Sequence, residues 1–326
     1  MFDLQNTDLT KEDLKQMFYS MLLGRRLDER LWLLNRSGQL PFVISCQGQE
    51  ATQIGMAFAL KEGDISAPYY RDLAFITHLG ITPLETMMSA FAKEGDTSSG
   101  GKQMPSHFSK KSLGIMTQGS CVATQILHAV GASLAFKMDG KNQVAIATLG
   151  EGSSNQGDFH EGLNFAGVHQ LPFICVIENN DYAISVHSSL QYAAKKLSDR
   201  AIGYGITGVQ VDGNNPIAVY EVVKAARERA IRGEGATLIE AMTTRLTPHS
   251  SDDDDQYRTE DERANNKEKD CLLLFKNFLI TKDILTEKLI EEMETNIKSI
   301  IDDATNQAKA AKYPEISECL THVYGG

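Results

Sequence analysis

The segment QVAIATLGEGSSNQGDFHEGLNFAGVHQLPFICVIENN, residues 143–180, decides the fold. It opens with a short apolar run at 143–149, passes through Gly150-Glu151-Gly152, takes a helical pattern over 158–169 and closes with a second apolar run at 172–177. Short apolar runs bounded by glycine, proline and polar residues read as strands buried on both faces. Strand, helix and strand in that order make a right-handed crossover, so the two strands run parallel and both following loops leave the same edge of the sheet. Open α/β sheets bind their ligands at that carboxyl edge.

Further strands are expected at 209–211 and 237–242, separated by a helix at 216–232 with Gly233 and Gly235 just past its end. Alternation of this kind gives an α/β fold, a mostly parallel sheet with helices on both faces. Upstream, Thr10 precedes Lys11-Glu12-Asp13 as an N-cap, and Leu14, Met17, Phe18, Met21 and Leu22 recur at helical spacing. A glycine-rich loop is expected at 95–114 and a small-residue helix at 123–138. Beyond Arg258 the chain turns polar and helical. These readings divide it into an N-terminal helical arm (1–40), an α/β domain (41–258) and a C-terminal helical extension (259–326).

Composition narrows the function classes. An apolar fraction of 42% and a charged fraction of 23% suit a globular protein with a substantial core, which excludes whole-chain disorder. A net charge of −11 argues against a nucleic-acid partner, since tracking phosphates needs a basic face. No apolar run approaches the ~18 residues of a membrane span, and the first residues lack the basic-then-apolar order of a signal peptide. A cytoplasmic protein with no membrane association is expected. Cys46, Cys121, Cys175, Cys271 and Cys319 stand singly, without C-x-x-C spacing, and read as buried reduced thiols.

The chemistry concentrates where the two central strands end. Glu151 follows the first and Asn180 the second, so a carboxylate and an amide oxygen converge on one edge. With a backbone carbonyl they suit magnesium, which takes few protein ligands and completes its shell with phosphate oxygens and water. The glycines allow backbone N–H groups to approach a diphosphate, and a helix starting near Gly157 or Asp158 adds its positive end. A nicotinamide dehydrogenase fits less well, because Gly150-Glu151-Gly152-Ser153-Ser154-Asn155 lacks the sixth-position glycine of that fingerprint.

Gly150-Glu151-Gly152 with Asn155-Gln156-Gly157, Glu161, Asn164, Ala166 and Glu178-Asn179-Asn180 resembles the thiamine-diphosphate motif in the alpha subunit of the decarboxylating component of 2-oxo acid dehydrogenase complexes. The resemblance spans nearly the whole chain: Gln47-Gly48-Gln49-Glu50-Ala51, Pro68-Tyr69-Tyr70-Arg71-Asp72, Gly101-Lys102-Gln103-Met104-Pro105, Ala123-Thr124-Gln125 and Arg245-Leu246-Thr247-Pro248-His249-Ser250 belong to it. The wider motif has Gly-Asp-Gly, whereas this chain has Glu151, as branched-chain members do. Leu33 to Gly38, Pro41 to Cys46 and the acidic run after His249 are likewise similar to bacterial branched-chain alpha subunits.

The resemblance implies a thiamine-diphosphate-binding fold that holds the cofactor through Tyr70, Arg71, Ser120, Val122, Gly150, Glu151, Gly152, Ser153, Asn180, Tyr182 and His249. Magnesium would sit on Glu151, Asn180 and Tyr182, and potassium near Thr124 and Gln125. His249 is the implied catalytic residue; an imidazole there can hydrogen-bond a phosphate or shuttle a proton. Arg71 would clamp the diphosphate with its planar fork. Phe42 and Tyr69 are candidates for the acyl pocket, and Ser250 or Ser251 for phosphorylation within a solvated, mobile acidic loop. The implied reaction is oxidative decarboxylation of a branched-chain 2-oxo acid with acyl transfer to a lipoyl-bearing transacylase core. A beta subunit would complete the site in a heterotetramer of two alpha and two beta chains. Pyruvate or acetoin dehydrogenase alpha subunits, or a non-catalytic partner-binding subunit, are the alternatives.

Overall fold

The computed structural model describes residues 2–321. At its centre lies a five-stranded sheet of β1 (Ile65–Ala67), β2 (Ala145–Gly150), β3 (Phe173–Asn179), β6 (Thr207–Asp212) and β7 (Thr237–Met242) in the order β1-β2-β3-β7-β6. Every neighbouring pair in it is parallel. A separate hairpin, β4 (Tyr182–Ala183) and β5 (Val186–His187), follows β3 directly.

Side-chain alternation explains why both faces are covered. Along β2, Ala145, Ala147 and Leu149 pack with Phe173, Cys175 and Ile177 of β3 into one apolar cluster, while Ile146, Ile174 and Val176 enter another. Against the first face lie α5 (Thr124–Met138) and α6 (Gly157–Val168), which contribute Ile126, Ala129, Phe159 and Leu163. Against the second lie α2 (Glu50–Ala59) and α8 (Pro216–Ile231). The same cluster takes in α1 (Lys11–Arg36), α3 (Leu73–His78), α4 (Pro83–Ala90), α10 (Cys271–Thr281) and α11 (Glu287–Ala310). The short α7 (Ala201–Tyr204) precedes β6, and α9 (Glu260–Glu268) precedes α10.

Local signals behave as their chemistry dictates. Thr10 caps α1 in a reciprocal box: its Oγ1 accepts from Asp13 N at 3.1 Å, and Asp13 Oδ2 accepts from Thr10 N at 2.8 Å. Asn215 accepts from the N–H groups of Ile217 and Ala218 at the start of α8, where Pro216 has no N–H that would need an acceptor. The three-residue β1 was too short to show a pattern in the sequence, and the two-residue strands of the hairpin likewise.

The helix after β2 begins at Gly157, as expected, and a 3-10 turn, Glu151–Asn155, joins it to the strand. One expectation needs correction. Of the five cysteines, Cys46, Cys175 and Cys271 are buried, but Cys121 and Cys319 are exposed because they lie in surface segments. Among the described residues, no helix is long and apolar enough to cross a membrane.

Candidate functional site

Sheet register brings the two central loops together. Gly150 pairs with Glu178, so Glu151 and Asn180 leave the sheet almost level with one another. Asn180 N donates to Glu151 Oε2 at 3.3 Å, across 29 residues of chain. A cavity of about 250 Å³ opens at this edge. Tyr69, Tyr70 and Arg71 line it from the loop after β1, Val122 from the approach to α5, and Gly150, Glu151, Gly152 and Ser153 from the turn after β2. Asn180, Tyr182 and His249 line it too, and Ala183 and Ile184 of the hairpin region add to them.

Two expected residues are elsewhere. Ser120 does not line the cavity; its hydroxyl lies 2.7 Å from Nε2 of the buried His107. Phe42 lines a different, apolar cavity with Leu31, Leu73 and Phe108. The reason is the direction of the loop: Val43 is stitched to Ser251 in both senses, Val43 N donating to Ser251 Oγ at 3.1 Å and Ser251 N to Val43 O at 2.8 Å. Tyr69 does line the first cavity, but its hydroxyl points away into the protein, 2.8 Å from Gln49 Oε1 and 3.1 Å from Glu178 Oε2. Thr124 and Gln125 are engaged too: the threonine hydroxyl donates to Asp158 and the glutamine amide to the Thr148 carbonyl.

Charge at the cavity is unbalanced. Arg71 is buried, yet it makes no ion pair among the described residues; Nη1 donates to Ser45 O at 2.6 Å, and Nη2 lies 3.1 Å from both Nδ1 and the carbonyl oxygen of His249. Arg245, also buried and also without a carboxylate partner among the described residues, donates to the Ile184 carbonyl and the Tyr257 hydroxyl, while its Nε finds no acceptor. Buried cations without counter-ions carry a desolvation cost that a bound anion removes. Opposite them, burial raises the pKa of the Glu151 carboxylate, and the Oδ1 of Asn180 is buried without a hydrogen-bond partner. An orphaned amide oxygen beside a buried carboxylate is the donor chemistry of a hard cation. No cluster of three or more histidine, cysteine, aspartate or glutamate side chains that could hold a metal occurs among the described residues, so such an ion would have to complete its shell with ligand oxygens and water.

His249 is held neutral. Burial, then Arg71 and Arg245, push its pKa down from 6.5 to about 3. A guanidinium only donates, so Nδ1 is the acceptor and the ring proton sits on Nε2. Below pH 6.5 the unfolded chain takes up this proton and the folded chain does not until about pH 3, so stability falls as the pH drops through that window. Melting temperatures followed against pH should therefore fall less steeply across it for His249→Gln than for the parent; parallel curves would refute the buried neutral ring.

Beneath the cavity floor, burial first and the neighbouring Asp72 second push Glu178 well above the carboxylate range, and burial raises Asp72 to about 6. Asp72 Oδ1 and Glu178 Oε1 are both buried without a hydrogen-bond partner among the described residues, and the proximity of two buried carboxyls opposes their ionising together.

Residues that sequence reasoning passed over support this geometry. Gln191 Nε2 donates to the Val186 carbonyl at 2.7 Å and reaches Glu151 Oε1 at 3.4 Å, tying the hairpin to the carboxylate. Gly152 has no room for a side chain, since a Cβ there would lie 2.4 Å from Ala183 Cβ. The acidic run is more ordered than a self-repelling solvated loop: Asp253 accepts from His249 N at 2.7 Å and from the Tyr257 hydroxyl at 2.6 Å, and the buried Asp255 pairs with Arg258 at 2.6 Å. Ser250 is buried and Ser251 is tied to Val43. The pairings within the run are local, to residues three or four positions away, and the tie from Ser251 to Val43 anchors it to a distant segment; its composition records neither.

The family model described as "Dehydrogenase E1 component" matches residues 19–317. The chain belongs to this dehydrogenase E1 family. It is 52% identical to the 2-oxoisovalerate dehydrogenase subunit alpha of Bacillus subtilis (strain 168), over 98% of each chain. It is also 42% identical to the pyruvate dehydrogenase E1 component subunit alpha of Staphylococcus aureus (strain Mu50 / ATCC 700699), over 93% of this chain and 80% of that protein. With the pyruvate dehydrogenase E1 component subunit alpha of Bacillus cereus it shares 38% identity, over 96% of this chain and 83% of that one. Membership in the E1 family agrees with the parallel sheet flanked by helices.

Proposed function

We propose that this chain is the alpha subunit of a thiamine-diphosphate-dependent branched-chain 2-oxo acid dehydrogenase, and that its cavity holds the diphosphate with magnesium. The observation that carries the reading is the meeting of Glu151 and Asn180 beside a buried, unpaired Arg71. Glu151 and Asn180 supply side-chain oxygens to the ion, and Tyr182 its carbonyl. Arg71, Tyr70, Ser153 and the peptide N–H groups around Gly150 and Gly152 take the phosphate oxygens. His249 adds the Nε2–H, and in its neutral state it acts first as a hydrogen-bond donor rather than as an acid. Val122 supports the cofactor from the loop before α5, and Ser120 contributes through the position of that loop. Thiamine diphosphate supplies a thiazolium that takes up the electrons released on decarboxylation.

Identity favours the branched-chain substrate over pyruvate, since the 2-oxoisovalerate relative matches at 52% and the pyruvate relatives at 42% or less. A beta subunit completes the site in a cytoplasmic assembly of two alpha and two beta chains, which hands the acyl group to a lipoyl-bearing core. Exposed apolar side chains support partner docking: Met138 on α5, Phe165 and Val168 on α6, Ile184, Val186 and Leu190 in and just after the hairpin, and Ile202 on α7. The deciding assay compares decarboxylation of 3-methyl-2-oxobutanoate and pyruvate by this chain reconstituted with its beta subunit. The branched substrate should have the higher kcat/KM by at least about tenfold, the scale of one or two methylenes in an apolar pocket; a clear preference for pyruvate would reject the branched-chain assignment. Failure of the beta chain to restore any turnover would favour a non-catalytic subunit.

A further inference from the structure

Asp28 sits in the C-terminal half of α1, outside the residues that line the cavity. Its side chain is fully buried, and no cation pairs with it among the described residues. All three of its hydrogen bonds go to one short segment: Oδ2 accepts from Ser45 Oγ at 2.7 Å and Gln47 Nε2 at 2.8 Å, and Oδ1 accepts from Cys46 N at 3.0 Å. That segment continues into the site. The Ser45 carbonyl is the 2.6 Å acceptor of Arg71 Nη1, and the Gln47 carbonyl accepts from Leu246 N at 3.1 Å, on the strand of chain that leads to His249.

A buried carboxylate without a counter-ion is costly to keep, and burial raises the pKa of Asp28 to about 6. The cost is offset only by fixing residues 45–47 in place. Arg71 has few protein acceptors, and the other two both belong to His249, so the Ser45 carbonyl is the anchor that sets the guanidinium independently of that loop. We propose that Asp28 is a positioning residue for the anion clamp: it holds the Ser45 carbonyl where it receives Arg71 Nη1 and so aims the guanidinium into the cavity. The inference rests on the reading of the cavity as a diphosphate site.

The test is a double-mutant cycle on the complex assembled with the beta subunit, titrated with thiamine diphosphate in the presence of magnesium and followed calorimetrically. Asp28→Asn should weaken cofactor binding about tenfold, the scale of one charged hydrogen bond, while kcat at saturating cofactor stays close to the parent. In an Arg71→Gln background the same change should weaken binding no further, because the guanidinium it serves is gone. Equal losses in both backgrounds, or no loss in the parent background, would overturn the proposal, since a general structural role predicts additivity. Should Asp28→Asn not fold, Ser45→Ala and Gln47→Ala remove the donors that Asp28 holds and enter the same cycle with the same expected outcome. If Arg71→Gln alone binds the cofactor as well as the parent, it is the diphosphate reading that fails, not the role of Asp28.

Discussion

Replacing Glu151 by alanine should abolish magnesium-dependent binding of thiamine diphosphate by the assembled enzyme, a loss of at least about a hundredfold, or roughly 2.8 kcal/mol. The expectation follows from how little else the carboxylate does. It is fully buried, yet its protein partners are a 3.3 Å contact from Asn180 N and a 3.4 Å contact from Gln191 Nε2, both long for bonds to an ionised group. Burial also raises its pKa, so the ionised carboxylate bears a desolvation cost that a cation would remove. Removing the group should therefore leave the melting temperature of the chain unchanged or higher, while binding collapses. Glu151→Gln separates charge from shape: it preserves an oxygen and the side-chain length, and should fail almost as badly because the ion needs the negative charge. Calorimetric titration of both variants with cofactor and magnesium decides the matter. Affinities within about threefold of the parent would remove the metal from the proposed site.

How far this site was legible depended on what kind of signal carried each part. β2 and β3 were readable because they are unbroken apolar runs whose ends are marked by glycine and polar residues, and parallel crossover geometry then put Glu151 and Asn180 on one edge without further information. Thr10 and the α1 stripe were readable for the same reason, since capping and periodicity are local. Phe42 and Ser120 were placed by resemblance alone, and their surroundings are set by distant partners: Val43 by Ser251, and Ser120 by His107. Gln191, Arg245 and Asp28 carry no local signature whatever. Each does its work through two or three hydrogen bonds to residues separated in the chain by a turn, a hairpin or a whole helix, and no composition or period records such pairings. The acidic run shows the converse error, because four consecutive aspartates look solvated until Arg258 and Tyr257 are seen to take two of them.

Gly48→Ala should be the most damaging small substitution in the N-terminal half of the chain. Gly48 has φ +95°, a backbone conformation that costs a residue with a side chain about 1–2 kcal/mol on its own. Space is the larger problem. A Cβ there would lie 2.0 Å from the carbonyl oxygen of Thr244 and 2.9 Å from Leu246 Cγ. The oxygen belongs to backbone just beyond β7, so it cannot be relieved by rotating a side chain. Either residues 45–48 or residues 244–246 must move apart. Both segments serve the cavity, the first through the Ser45 carbonyl on Arg71 and the second through the chain that carries Arg245 and His249. Overpacking against backbone of this kind costs a few kcal/mol, a large share of the roughly 5–15 kcal/mol that holds a domain together. The variant should melt several degrees below the parent, at about 2–4 °C per kcal/mol for a large domain. Whatever fraction folds should bind thiamine diphosphate poorly even at low temperature, because the displaced loops no longer present Arg71 and His249 to the same volume. Gly38→Ala is the matched control: it has a similar backbone angle, φ +71°, but nothing within 4 Å of its added methyl, so it should bear only the conformational cost and leave cofactor affinity untouched. A Gly48→Ala protein that melts and binds like the Gly38→Ala control would mean that the close approach of these two loops is not what shapes the site.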